Sequence, residues 1–331
     1  MLAGDEAAVD QLIAREPGNI AALIRKADLR AGAGDERVAA AFYRAALKAA
    51  SRGPIPGELA GQLARAEAAC QRATQRFIDY LEDTLARAGF GPGHRPRRFQ
   101  DSIDILLGRR PAAMTLQQPR TYYYPGLPQR RYYERSEFPW AAELEQQTGA
   151  IRKEMLALVN DETRFRPYLY SDPSKPPRAD QGMIDNPDWS TLMLWEDGSP
   201  VAGNVEHCPR TAAEMEALDL VYMPKRAPCV MFSKLKAGAR IPPHTGLLNV
   251  RLVCHLALVI PEGCMFRVGG EDRQWHEGEL LIFDDSIKHE AVNSGTKDRV
   301  VLIFEIWRPE LSAEEREAVT TIFEAIASYG G

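Results

Sequence analysis

Over residues 1–90 apolar side chains recur at steps of three and four among Ala, Leu, Arg and Glu, the period of amphipathic helices. Four helices are predicted. DEAAVDQLIARE is stopped by Pro17-Gly18, and NIAALIRKADLRAG has Asn19 as its N-cap and Gly32 as its stop. DERVAAAFYRAALKAA begins after Gly34-Asp35, and a long fourth runs through ELAGQLARAEAACQRATQRFIDYLEDTLARAG. Gly and Pro then punctuate GFGPGHRPRRF, which opens a linker read over residues 91–120, its basic run a solvated turn. YYYPGLPQRRYYERSEFPW (122–140) predicts an extended segment laid across the domain surface and held by packing. AAELEQQTGAIRKEMLALVND predicts one helix, and PDWSTLMLWEDG a strand entering a turn. Beyond residue 225 the period changes to two. RLVCHLALVI (251–260), GELLIFDDS (278–286) and RVVLIFEIW (299–307) are strand candidates between Gly and polar turns. Short antiparallel strands need closure to remove their edges, and a jelly roll is one such closure. The fold class expected is α+β: a helical domain over 1–90, a linker over 91–120 and a β domain over 121–331.

Composition narrows the picture. The 331 residues suit two domains. The 45% hydrophobic content is ample for a core. Net charge is −5, from 41 basic and 46 acidic residues, which gives nucleic acid no basic footprint. No run approaches the roughly 18 apolar residues of a membrane span, so no membrane anchor is expected. The start MLAGDEAAVDQLIARE is acidic where a signal peptide needs a basic segment and an apolar core. A soluble, cytoplasmic protein is expected. The five cysteines (Cys70, Cys208, Cys229, Cys254, Cys264) show no CxxC or zinc spacing and read as free thiols. A Cys208–Cys229 pairing stays open.

Six histidines are candidates for chemistry. His244 stands directly before a strand pattern, in IPPHTGLLN, and His289 follows FDDSIK after the next strand block. His255 lies within RLVCHLALVI on the face of Arg251, because alternate side chains share a face. Imidazole pairs hold Fe(II), Zn, Ni or Cu. The common iron site adds a carboxylate, yet position 246, where it would stand, is glycine. From spacing alone, His244 and His289 could be ligands or structural histidines. His94, His207 and His276 lack partners at useful spacing. Glu290, beside His289, would point away from a metal.

The stretch HTGLLNVRLVCHLALVIPEGCMFRVGGEDRQWHEGELLIFDDSIKHEAVNSGTKDRVVLIFEIWRPEL closely resembles the aspartyl/asparaginyl β-hydroxylase family. The HTG…RLxxH opening, the VIPEGC turn, the WxEGxLLIFDDSxxHE block and the terminal WxPEL carry the likeness, which covers roughly residues 120–310. The resemblance implies a 2-oxoglutarate- and Fe(II)-dependent oxygenase on a double-stranded β-helix. It implies iron held by two histidines, with glycine where the acid would be. His244 and His289 would then be the ligands, and Asp285 would orient iron-bound water, its plainer role being a turn acceptor. Arg299 would grip the distal carboxylate of 2-oxoglutarate, as a guanidinium can do bidentately. Ser233 and His255 would also contact this cosubstrate, and Arg251 an acidic side chain of the substrate. At Val253 the animal enzyme carries a second arginine, so aspartyl specificity is in question here. Trp189 and Trp195 are candidates for the site's edge or for core packing. The second and third helices look like a tetratricopeptide hairpin, through Ala27, Ala39, Tyr43 and Ala46. That likeness implies a docking place for a protein partner.

The substrate class implied first is the β-carbon of an Asp or Asn residue in a peptide or protein. A free amino acid, a peptide natural product or a lipid acyl chain follows. Rival readings are a non-enzymatic peptide-binding protein with a vestigial metal pocket, and a zinc or other metal enzyme of the wider cupin group.

Overall fold

The four helices of the first ninety residues are present in the computed structural model, which describes residues 2–55, 57–172, 176 and 182–329. They are α1 (Leu2–Arg15), α2 (Ile20–Gly32), α3 (Glu36–Ala50) and α4 (Gly57–Arg87). Asn19 caps α2, its side chain accepting from the Ala22 amide at 3.0 Å, and Asp35 caps α3 by accepting from Val38 at 3.2 Å. Ala27 and Ala46 are buried with Leu23, Ile24 and Phe42 in one core, and Ala39 is buried too. The Tyr43 hydroxyl donates to Asp28 at 2.6 Å. Such close approach follows from small residues in any helix pair, so it does not single out a tetratricopeptide unit.

A second compact unit is built from Ala88–Tyr170 and from the chain beyond residue 181 as far as Ala327. Its first element corrects the linker. Residues 97–106 form helix α5 (Arg97–Leu106), with Phe99 and Ile103 fully buried one turn apart. The cationic start hid that apolar face. The tyrosine-rich segment is also not superficial. Tyr122, Tyr124 and Tyr133 are fully buried, Ser102 and Tyr122 share a hydrogen bond of 2.6 Å, and Tyr124 donates to Glu315 at 2.8 Å. The single helix expected after it is two, α6 (Ala141–Gln146) and α7 (Thr148–Leu158), parted where the Thr148 hydroxyl donates to the Glu145 carbonyl at 2.7 Å. Short helices α8 (Ala202–Val205) and α9 (Pro209–Glu216) and a closing helix α10 (Ala313–Ser328), whose apolar face the sequence reading passed over, are the other α-helices among the described residues.

The strands are β1 (Tyr132–Tyr133), β2 (Arg166–Pro167), β3 (Trp189–Glu196), β4 (Ser199–Pro200), β5 (Val230–Leu235), β6 (Arg240–His244), β7 (Arg251–Val259), β8 (Cys264–Val268), β9 (Glu271–Arg273), β10 (Leu280–Phe283), β11 (His289–Asn293) and β12 (Arg299–Trp307). They form two antiparallel sheets. The larger runs β1-β10-β7-β12-β5-β3-β2, with β4 on β3, and the smaller runs β6-β11-β8-β9. Alternation divides the larger sheet's side chains. Leu252, Cys254, Leu256, Val300, Leu302 and Phe304 bury one face with Ile151 and Met155 of α7. Val253, Ala257, Val301 and Leu235 line the other face and meet Ile241, Phe266, Val268 and Ala291 of the smaller sheet. The chain is therefore α+β, a helical region followed by a jelly roll, and the candidate site lies between the two sheets. Cys208 and Cys229 are free, as are the other three cysteines. Among the described residues no helix is long and apolar enough to cross a membrane.

Candidate active site

The strand register brings the two candidate histidines together. β11 pairs with β6 so that His289 and His244 are direct cross-strand partners, and their ring centroids stand 4.2 Å apart. β6 carries Pro242 and Pro243, which a sheet tolerates because β6 is an edge strand. Each imidazole is fixed by its own backbone. Nδ1 of His244 meets the Pro242 carbonyl at 2.8 Å, and Nδ1 of His289 meets the Ile287 carbonyl at 2.9 Å. A carbonyl only accepts, so Nδ1 carries the proton and Nε2 keeps its lone pair. Burial lowers both affinities for a further proton, that of His289 to about 3, with His244 adding to the effect. Two neutral imidazoles whose Nε2 atoms keep their lone pairs could hold a metal.

The missing carboxylate has a steric explanation. A Cβ built on Gly246 would overlap Oδ2 and Cγ of Asp285 and stand only 2.8 Å from its Oδ1. The Gly246 amide also donates to the Asp285 carbonyl at 2.7 Å. The space of an acid at 246 is thus filled from the loop before His289. Among the described residues no group of three or more His, Cys, Asp or Glu could hold a metal ion.

Arg299 opens β12 on the inward face and is 2% exposed. Among the described residues its guanidinium meets no carboxylate. It lies over the Trp275 ring at 5.1 Å, and its Nε is buried without a hydrogen-bond partner. Desolvation pulls it down to about 10, so it stays cationic at neutral pH. Trp275, which sequence reasoning missed beside the exposed His276, also braces His255. Its indole N–H donates to His255 Nδ1 at 3.3 Å, which leaves Nε2–H as the donor of that ring. Burial, Arg299 and His289 keep His255 neutral. Ser233 is fully buried on β5 opposite Val301, two residues along β12 from Arg299, and its oxygen accepts from the Trp189 indole at 3.2 Å.

Arg251 is already engaged. Its Nη1 pairs with Glu305, and its Nη2 donates to Asp285 Oδ2 at 3.1 Å. Glu305, another residue sequence reasoning passed over, lies on β12 directly across from Val253. Burial, with the Asp285 charge, raises the Glu305 carboxyl against the pull of Arg251. Trp189 stands 6.1 Å from the His244 ring and packs on Tyr168 at 4.5 Å. Trp195 belongs to the core on the other face. Glu290 turns outward to Arg267, at 3.4 Å. His207 and His276 are exposed and outside the site.

The sequence has relatives that bear on this arrangement. A family profile described as Aspartyl/Asparaginyl beta-hydroxylase matches residues 145–309. Mouse aspartyl/asparaginyl beta-hydroxylase is 36% identical over 144 residues, which are 43% of this chain and 19% of that protein. Aspartate beta-hydroxylase domain-containing protein 2 of Xenopus tropicalis is 31% identical over 240 residues, 71% of this chain and 61% of that protein. The chain spans less than two thirds of each of these relatives. Among solved structures, a Pseudomonas putida prolyl-4-hydroxylase aligns with a TM-score of 0.32 at 17% identity, over 50% of this chain and 88% of that one. By the profile match and these relatives, the chain belongs to the aspartyl/asparaginyl β-hydroxylase family.

Proposed function

We propose that the protein is a 2-oxoglutarate- and Fe(II)-dependent oxygenase. Its reaction would be hydroxylation of an unactivated C–H bond, first of all the β-carbon of an Asp or Asn residue in a peptide or protein. The observation that carries this reading is the company kept on the inward faces of the two sheets. Arg299, buried and without a carboxylate partner among the described residues, stands on the same inter-sheet side as two imidazoles that are kept neutral and lie cross-strand from each other, with His255 within electrostatic reach of Arg299 and His289. A lone buried cation is expensive unless an anion joins it.

The donor set fits iron. His244 and His289 would hold it through Nε2, each locked in that tautomer by a carbonyl. Bound there, iron would supply oxidation of a C–H bond by O₂, coupled to decarboxylation of the keto acid. The chain's own groups do the rest. Arg299 holds the distal carboxylate of 2-oxoglutarate, with His255 and Ser233 as neutral donors beside it. Asp285 brings a carboxylate to the imidazole pair from outside the metal's ligand set, where it orients a water. Arg251, Trp189 and Tyr168 border the substrate end. Phe266 and Phe283, packed around His255 and His289, exclude water from the cosubstrate end.

The test is titration of 2-oxoglutarate into protein loaded with Mn(II), followed by succinate detection with Fe(II) and O₂. Saturable binding that needs the metal is expected. Absence of such binding, with the metal present in the protein, defeats the reading.

A further inference from the structure

The group around Arg251 is closed on itself. The guanidinium pairs with Glu305 through Nη1 and with Asp285 through Nη2. The side chains of the three keep only 10%, 8% and 8% of their surface, so water does not solvate them. Tyr168 lies within electrostatic reach of all three, and it packs on Trp189 beside His244. This places the group at the substrate end of the proposed centre. Among the described residues neither acid has another cation for a partner.

One positive charge therefore already serves two carboxylates. A third carboxylate, brought by a substrate, would find no unmatched charge and would meet like charges where water is scarce. The unmatched atoms tell what would be welcome. Among the described residues Asp285 Oδ1 and Glu305 Oε2 are buried acceptors without a hydrogen-bond donor, and Arg251 Nε is a buried donor without an acceptor. A carboxamide offers two N–H donors and one carbonyl acceptor. The two inventories are complementary in number and kind. We propose that Glu305, together with Asp285, sets this end of the site for a substrate carboxamide and against a carboxylate, with Glu305 the specificity-determining residue. The inference rests on the oxygenase reading and sharpens it, to Asn or another amide-bearing residue rather than Asp. Buried polar groups that lose their matching partner discriminate strongly.

The probes are four peptide pools with randomised flanks and a central Asn, Asp, Gln or Glu. Each is retained on immobilised protein loaded with Mn(II) and 2-oxoglutarate and counted by mass spectrometry. Wild-type protein should favour the amide over the matched acid by roughly tenfold or more. Glu305→Gln, which keeps the shape and removes the charge, should shrink that ratio by about tenfold, chiefly through gain of the acid pools. Equal or better retention of the acid pools by wild type overturns the assignment, whether or not the variant folds. So does an unchanged ratio in a folded Glu305→Gln protein, and so does failure of wild type to retain either amide pool. Binding of 2-oxoglutarate, measured beforehand on the same protein, reports on the oxygenase reading separately. Its loss sinks that reading, while the amide-to-acid ratio still decides the role of Glu305.

Discussion

Replacing Gly246 with alanine tests how the site manages without an acid at that position. Gly246 is absent from the positive-φ glycines, so alanine is acceptable to the backbone and only space is at issue. The added methyl would fall on the Asp285 carboxylate. That carboxylate cannot swing into solvent, being 6% exposed and held by Arg251 at 3.1 Å. It must retreat by about 1 Å or more to restore ordinary contact, which breaks the bond to Arg251 Nη2. A charge-assisted buried hydrogen bond contributes about 1.5–3 kcal/mol. Arg251 keeps Glu305, so the lower half of that range, about 2 kcal/mol, is expected. For a unit of this size the melting temperature should fall by roughly 4–8 °C. Calorimetry on Gly246→Ala, Asp285→Ala and the double variant gives a thermodynamic cycle. In the Asp285→Ala background the methyl has nothing to displace, so its cost should drop below about 0.5 kcal/mol. Equal costs in both backgrounds, or no cost in either, would refute the claim that Asp285 occupies the place of the acid.

Four other variants probe the remaining parts. Arg299→Met should weaken 2-oxoglutarate binding by roughly a hundredfold by calorimetric titration, yet leave the melting temperature unchanged or raised, because it removes an unpaired buried cation; a large drop in melting temperature with binding intact would contradict this. His244→Ala and His289→Ala should each lose stoichiometric metal after dialysis, read by elemental analysis, and retention by either would remove that histidine from the ligand set. Asp284→Ala strips the fully buried Arg308 of a partner at 2.7 Å and should cost about 3–5 kcal/mol by denaturant unfolding; a change under about 1 kcal/mol would show that Glu310 and the Asn249 and Pro128 carbonyls suffice for Arg308.

The helical region was legible because caps and period act locally: Asn19 and Asp35 sit where the chain needs them, and nothing distant had to be known. The inward strands β7 and β12 were legible for the same reason, each carrying a long apolar run. β6 was not, since Pro242-Pro243 reads as a strand breaker unless one knows that the strand is an edge. α5 was lost behind its arginines. At the site, motif likeness reached His244, His289, Asp285 and Arg299, all of which face the inter-sheet space. It did not reach Trp275 or Glu305. Their importance comes from what stands opposite them, His255 and Arg299 for the first and Arg251 for the second, and such pairings depend on sheet register. The long spacing between His244 and His289 likewise carried no geometric message until β6 and β11 were paired.

That pairing makes the centre a reporter of assembly. A slip of one residue between β6 and β11 would send one imidazole to the opposite side of its sheet. No partly zipped chain can then present both nitrogens to a cation. Capture of the proposed metal during refolding should mark the step at which the small sheet finds its register, and a chain trapped one notch out would be unable to take it up.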